Sequence, residues 1–199
     1  METMAFSRER FGRNELVFPD PVPDHPLLVG RPEIARGEYS IVLYGPLYDR
    51  VFKVVSSPAD HFFLTADDRP DGPHFPVVYA DHGRVGRASS GYIMHLVELE
   101  RLEPLRPGSA AARDAECMMS AYWAGCQQFA RLGDEMGRMA LYHLIDNPPA
   151  ALPRSLVAAL SALSNFIESY QVRPDILSEG NLMARRDGTL VFSDPVFLG

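Results

Sequence analysis

The chain has 199 residues, of which 46% are hydrophobic and 23% charged, a composition typical of a globular protein with a buried core rather than of a disordered chain. Its formal net charge is −7 and no run of Lys or Arg exceeds two residues, which argues against nucleic-acid and anionic-membrane partners, because both need a concentrated basic face. The spacing of Cys117 and Cys126 matches no zinc-binding or redox motif. No apolar stretch is long enough to cross a membrane, and residues 1–13 lack the apolar core of a signal peptide. We therefore expect a cytoplasmic protein.

The first half of the chain predicts a small antiparallel sheet with one helix. Prolines concentrated in residues 1–30 predict an extended, irregular leader. A β-rich lobe is expected over residues 31–103, with a short helix over 58–68. Its predicted strands cover residues 39–44, 50–55, 75–80 and 92–97, of which the first two form a hairpin with a five-residue loop.

The composition changes near residue 104, and residues 104–199 predict a mostly helical lobe. Apolar residues recur at helical spacing from Ala110 to about Ile145, and again from Ser155 to about Tyr170. Two short strands joined by an Arg-Asp-Gly turn then end the lobe in a β-hairpin. The sequence therefore predicts an α+β fold with a β-rich and a helical part.

Three polar residues around this hairpin form the strongest candidate site. Asp175 lies in the preceding loop, Asn181 at the entrance of the hairpin and Asp194 at its exit. Because the two ends of a hairpin lie side by side, the amide of Asn181 and the carboxylate of Asp194 are expected to project together, and such oxygen ligands suit Mg²⁺. Asp175 can accept a hydroxyl proton or orient a nucleophile.

The segment from Asp175 to Asp194 resembles the catalytic segment of protein kinases, in which a loop Asp precedes an Asn and a metal-binding Asp follows on a hairpin. Residues 179–195, with Gly-Asn, an Asp-Gly turn and Asp-Pro in place of Asp-Phe-Gly, are similar to the kinase-like proteins of T7-type bacteriophages and their prophage relatives. Minimal bacterial effector kinases likewise use Asp-Pro. The resemblance implies a protein-kinase-like two-lobe fold with a small antiparallel β N-lobe and a reduced, mostly helical C-lobe. It also implies ATP and Mg²⁺ as cofactors, a host protein as substrate or target, and the cytoplasm of a bacterial host cell.

The same resemblance suggests nucleotide-binding residues at the start of the β-rich lobe. Lys53 lies mid-strand among apolar residues, so it either snorkels from an edge strand or faces a polar cleft, where it would hold the α- and β-phosphates. Gly37 and Ser40 resemble a degraded Gly-rich loop, with an ordinary tight turn as the alternative.

Later residues of the β-rich lobe complete the expected nucleotide site. Asp60, in the first turns of the predicted helix, is the candidate partner of the lysine, ahead of Asp67 and Asp68, and a solvated face is the alternative for all three. Glu98 and Glu100 lie in the segment that would be the adenine-binding hinge. The six histidines have no metal-ligand spacing and are expected to be satisfied or exposed side chains.

The sequence departs from the kinase pattern in its catalytic loop. The loop Asp and the Asn are five residues apart in the family, whereas Asp175 and Asn181 are six apart, and Ile176 occupies the expected base position. A bulge would restore the carboxylate. The chain also ends where a full kinase begins its activation segment, so no peptide-docking subdomain is expected.

Three functions remain open on this evidence. The first is an ATP- and Mg²⁺-dependent protein Ser/Thr kinase acting on host proteins or on itself, catalysing by positioning and charge neutralisation. The second is a pseudokinase-like module that binds and modulates a host protein without catalysis. The third is a small-molecule phosphotransferase of the aminoglycoside-kinase type, which usually has a larger helical lobe.

Overall fold

A computed structural model of the chain, which describes residues 18–198, shows a mixed α+β protein with an antiparallel sheet and four α-helices. The strands of the large sheet are β1 (Glu33–Arg36), β2 (Ser40–Tyr44), β3 (Arg50–Val55), β4 (Val78–Arg87) and β5 (Ile93–Glu100). All neighbours are antiparallel, in the order β1-β2-β3-β5-β4. The predicted hairpin of β2 and β3 is confirmed, and β3 is the central strand.

Helix α1 (Pro58–Thr65) directly follows the central strand. Its start is specified locally, because the hydroxyl of Ser57 accepts a hydrogen bond from the backbone N–H of Asp60 at 3.3 Å and Pro58 occupies the first helical position. The helix is three residues shorter than the predicted 58–68. It turns Ala59, Asp60, Phe63 and Leu64 toward the core.

The helical half contains α2 (Ala110–Gln128), α3 (Met136–Asp146) and α4 (Arg154–Tyr170). The single helix expected from Ala110 to Ile145 is wrong, because a 3-10 segment, Ala130–Glu135, separates α2 from α3. Gly133 causes the break: its φ of 56° and ψ of −121° lie outside the helical region and are accessible at low cost only to glycine.

Five short strands fix the C-terminal segment against the rest of the protein. The predicted hairpin is confirmed as β8 (Leu182–Ala184) and β9 (Leu190–Phe192), and β8 also pairs with β6 (Glu103–Pro104). Beyond it, β10 (Val196–Phe197) pairs with β7 (Arg173–Pro174). The loop before the hairpin and the segment after it are therefore held side by side.

The buried side chains form two clusters, one on each face of the large sheet. The larger joins β3, β5 and all four helices, and it includes Val51, Val55 and Val97. The smaller contains Phe52 and Val54 of β3 on the opposite face. Residues 18–30 form neither helix nor strand, and yet Phe18 and Leu28 are buried in this smaller cluster. The rest of the predicted leader, residues 1–17, lies outside the described residues.

Candidate functional site

Lys53 projects from the central strand toward the helical half. Side chains alternate along a strand, so Lys53 shares its face with Val51 and Val55 of the larger core. Its side chain is only 8% exposed, and its Nζ lies 3.0 Å from Oδ2 of Asp194. The edge-strand alternative is therefore wrong, because Lys53 lies on an inner strand and ends in a buried ion pair.

Lys53 is also the only lysine of the chain, beside 18 arginines. The two side chains are not interchangeable, since an ammonium is a compact point charge and a guanidinium is a broad planar fork. The single lysine therefore lies where a compact, buried cation meets a partly buried carboxylate. Its rarity was a signal in the sequence that marks the position independently of any motif.

Asp60 adds a second carboxyl group to this ion pair. It is buried on the inner face of α1, at 4% exposure. Burial raises the pKa of Asp60 well above its ordinary value, and the charge of Asp194 and a hydrogen bond with it raise this pKa further, while Lys53 opposes the shift. Burial alone would lower the pKa of Lys53, but the charges of Asp194 and Asp60 outweigh it and raise that pKa. Lys53 thus forms its ion pair with Asp194, and Asp60 lies beside both.

The alternative partners for the lysine lie elsewhere. Asp67 and Asp68 follow the end of α1 at Thr65. The carboxylate of Asp68 accepts a hydrogen bond from the hydroxyl of Tyr170 in α4. Asp60 is therefore the acid of this region that the structure brings to Lys53.

The loop before the hairpin brings Asp175 and Asn181 together. The amide nitrogen of Asn181 donates to the backbone oxygen of Asp175 at 2.7 Å, and the carboxylate of Asp175 accepts from the hydroxyl of Ser178 at 2.8 Å. The exit of the hairpin is joined to the same loop, because Ser193 N–H donates to Asn181 O at 2.9 Å and Asp175 N–H donates to Pro195 O at 2.6 Å. Backbone hydrogen bonds therefore hold Asp175 and Asn181 beside Ser193 and Pro195, the two residues that flank Asp194.

The six-residue interval from Asp175 to Asn181 contains one buried side chain and a short 3-10 turn. The side chain of Ile176 is fully buried in the larger core, so the expected base position is a packing position here. A 3-10 turn, Glu179–Asn181, takes up chain length before the hairpin. Burial and the charge of Asp194 are the main causes that raise the pKa of Asp60, and the charge of Asp175 adds a smaller contribution in the same direction.

The donor set fits a Mg²⁺ ion held together with a phosphate ligand. Among the described residues, Oδ1 of Asp194 is one of the buried side-chain oxygen or nitrogen atoms without a hydrogen-bond partner. Either a proton held by Asp60 or a cation can satisfy that oxygen. Across residues 18–198, no three His, Cys, Asp or Glu side chains are grouped to hold a metal. Mg²⁺ usually takes one or two carboxylates and completes its shell with water and phosphate oxygens. Asp194 and the amide oxygen of Asn181 are the residues that would hold it.

The turn at Gly37 has the geometry of an ordinary tight hairpin. Gly37 N–H donates to Ser40 O at 2.9 Å, and Gly37 O accepts from Phe18 N–H at 2.6 Å. A Cβ at Gly37 would meet only the Ser40 hydroxyl, at 3.6 Å, which is a normal contact. Ser40 is itself buried. The backbone N–H and C=O of Gly37 are therefore both bonded within the protein, and a phosphate-binding role for this turn stays a prediction.

The two acidic residues of the expected hinge are engaged in ion pairs. Glu98 accepts from Arg50 at 2.7 Å, and Glu100 accepts three hydrogen bonds from Arg185, at 2.6, 2.8 and 3.1 Å. The backbone N–H of Glu100 donates to Val77 O at 3.0 Å. Neither carboxylate is thus directed at the Lys53–Asp194 pair, and the amide of Glu100 is not open to an adenine. The hinge assignment of Glu98 and Glu100 has no support in these contacts.

Two pockets lie away from this site. One of about 420 Å³ lies beside α1, where the rings of His61 and His95 stack at 3.8 Å. The other, of about 210 Å³, lies beside α4 and contains His74 and Ser155. These two residues are 81 positions apart and are hydrogen-bonded. No local pattern in the sequence could have paired them.

Comparisons with known proteins do not assign the chain to a family. Neither a scan against protein-family models nor a search of curated proteins gave a match. Within the part of the chain that the structure describes, no helix combines the length and apolar character needed to cross a bilayer. The function is therefore inferred from the geometry around Lys53 and Asp194.

Proposed function

We propose that the protein is an ATP- and Mg²⁺-dependent phosphotransferase, a phage-type protein Ser/Thr kinase that acts on host proteins or on itself. The observation that carries this proposal is the buried ion pair, in which Lys53 and Asp194 meet at 3.0 Å although 141 residues separate them. Protein kinases place a lysine on the third strand, an acid on the following helix, and a metal-binding Asn and Asp in the catalytic segment. Here Lys53 is on β3, Asp60 on α1, and Asn181 and Asp194 flank the hairpin.

The order of elements supports a two-lobe kinase-like arrangement. Under this proposal the five-stranded sheet and α1 form the N-lobe, and α2 to α4 with the short strands form the C-lobe. The central strand supplies the lysine and the C-terminal hairpin supplies the acid, so the site would lie where the two lobes meet.

Each residue has a role that its contacts make feasible. Asp194 and the amide oxygen of Asn181 would hold Mg²⁺, which when bound neutralises phosphate charge. The hydrogen bond from the Asn181 amide nitrogen to Asp175 O fixes the side chain, so its amide oxygen is oriented before any ligand arrives. Lys53, now paired with Asp194, is the compact cation available to the α- and β-phosphates. Asp175 would orient the acceptor hydroxyl, because its carboxylate is itself oriented by Ser178.

A pseudokinase-like module that binds a host protein without catalysis is the second candidate. The bonded N–H of Gly37 favours it, because this group donates to Ser40 O within the turn and is not directed at a phosphate as the N–H groups of a Gly-rich loop are. The backbone N–H of Glu100 also favours the non-catalytic module, because it donates to Val77 O and is not available to an adenine at the predicted hinge.

The unique lysine offers a direct test. We would expose the protein to an ATP analogue that carries an amine-reactive acyl phosphate and locate the adduct by mass spectrometry. Since Lys53 provides the only side-chain amine, a bound nucleotide is expected to label it, and excess ATP with Mg²⁺ should prevent the labelling. Lys53→Arg removes the amine and keeps the charge, so it is the matched control.

Transfer is then measured separately from binding. Radiolabelled ATP and Mg²⁺ should phosphorylate the protein or an added lysate, and Asp194→Asn and Asp175→Asn should each abolish the transfer. Labelling of Lys53 without any transfer would support the non-catalytic module that still binds nucleotide. Absence of both would remove the phosphotransferase proposal.

A further inference from the structure

His74 is buried, at 6% exposure, in the segment between α1 and β4. Its Nδ1 lies 2.7 Å from the backbone oxygen of Leu190, and its Nε2 lies 3.0 Å from the hydroxyl oxygen of Ser155. A carbonyl can only accept a hydrogen bond, so Nδ1 carries the ring hydrogen and Nε2 presents a lone pair. In this tautomer the Ser155 hydroxyl donates its hydrogen to Nε2, which is the relationship between nucleophile and base in serine hydrolases.

A small apolar pocket opens beside this pair. It has a volume of about 210 Å³ and is lined mainly by Pro73, Phe75 and three alanines of α4, together with His74 and Ser155 and one acidic residue, Asp71. Ser155 is exposed whereas His74 is not, so a substrate can reach the hydroxyl while the base stays shielded from solvent. The size and lining suit a short apolar acyl group.

The start of α4 supplies groups that can stabilise negative charge. Ser155 is the second residue of the helix, and the helix has no side-chain cap at Pro153. The N–H groups of Leu156 and Val157 both donate to Pro153 O, at 3.0 and 3.1 Å. The N–H of Ser155 precedes them in the first turn, where a helix offers no internal acceptor and its dipole favours an anion. A developing oxyanion on a carbonyl attacked by Ser155 would lie beside this N–H.

We propose that Ser155 and His74 form a second, hydrolytic site that cleaves esters with a short apolar acyl group, independent of the phosphotransfer site. The oxygen of Ser155 bonds to the ester carbonyl carbon while its proton passes to Nε2 of His74. The resulting oxyanion collapses, the C–O bond to the alcohol breaks, and the alcohol takes the proton from His74. Water takes the place of the alcohol, loses a proton to His74 and attacks the carbonyl carbon of the acyl-serine. The C–O bond to Ser155 then breaks, Ser155 takes the proton back from His74, and a carboxylic acid is released.

The test uses a fluorophosphonate probe and p-nitrophenyl acetate and butyrate on the full chain. The probe is expected to form an adduct on Ser155, and Ser155→Ala should lose both the adduct and the ester hydrolysis. Ser161→Ala is the matched control in the same helix, because the Ser161 hydroxyl donates to Val157 O and has no imidazole partner in that contact. It should leave both rates unchanged.

The base is tested by His74→Gln, which should slow labelling by about 100-fold or more, the usual range for general base catalysis. Should His74→Gln fail to fold, Ser155→Ala decides alone, because an exposed first-turn alanine is compatible with the helix. A purely structural hydrogen bond predicts a lower Tm in Ser155→Ala but no probe adduct on the wild type. That result, or an adduct on any other serine, overturns the proposal.

Discussion

Replacing Lys53 with methionine isolates the contribution of the buried ion pair to stability. Methionine keeps most of the volume but removes the ammonium, so Asp194 loses the partner that lies 3.0 Å away. Breaking a buried pair by removing one partner costs about 3–5 kcal/mol. Because the Asp194 side chain remains 25% exposed, water compensates in part, and we expect the lower end, about 3 kcal/mol. For a chain of this length that loss corresponds to a fall in Tm of about 6–12 °C.

Urea-induced unfolding of four proteins checks this value: wild type, Lys53→Met, Asp194→Asn and the double variant. The double variant should be more stable than Lys53→Met, because a neutral amide needs no counter-ion. Arg106→Met is the control, since its ion pair with Glu103 is on the surface, with the arginine side chain 78% exposed, and surface pairs contribute at most about 1 kcal/mol. A Lys53→Met variant within 1 kcal/mol of wild type would refute the premise that this pair is buried and structural.

Three further substitutions follow from the geometry. Burial and the charge of Asp194 raise the pKa of Asp60, so the protonated carboxyl stabilises the fold fully below the ordinary aspartate pKa, and this stabilisation is lost as pH rises through the folded-state pKa. Asp60→Asn should therefore stabilise the protein at neutral pH by about 1–4 kcal/mol. It should also flatten the dependence of the unfolding free energy on pH, measured by urea unfolding from pH 4 to 8. Gly133→Ala should lower the unfolding free energy by about 1–2 kcal/mol, because φ is 56° there, and an unchanged Tm would contradict the assigned break between α2 and α3. Gly37→Ala should alter the unfolding free energy by less than about 0.5 kcal/mol, because the added Cβ makes one ordinary contact at 3.6 Å. It should also leave the labelling of Lys53 by the ATP analogue intact. Loss of labelling would support a phosphate-binding role for this turn.

Elements whose cause is local could be predicted from the sequence. The hairpin of β2 and β3, the start of α1 at Ser57 and Pro58, and the C-terminal hairpin with its turn at Gly188 each depend on residues within a few positions of one another. The proximity of Asn181 and Asp194 to the same end of that hairpin was predictable for the same reason.

Features that depend on distant partners could not be predicted. β7 and β10 have two residues each, too few for a periodic pattern, and they exist because they pair with each other. Glu98 and Glu100 were assigned to the hinge by position, but their ion pairs with Arg50 and Arg185 involve partners 48 and 85 residues away. A single glycine at position 37 could not distinguish a phosphate loop from a tight turn without its backbone bonds.

Because Lys53 is the only lysine, cleavage by a lysine-specific protease can be used to measure unfolding of the sheet. A protease that cleaves only after lysine has one target in the whole chain, and that target lies on the central strand with an almost fully covered side chain. Cleavage after Lys53 requires the sheet to unfold locally or globally. The rate at which the two fragments appear therefore measures the population of unfolded molecules. Under the proposed function, nucleotide added before the protease should slow the cleavage by a factor of one plus the ratio of free nucleotide to its Kd, with no label and no knowledge of the acceptor.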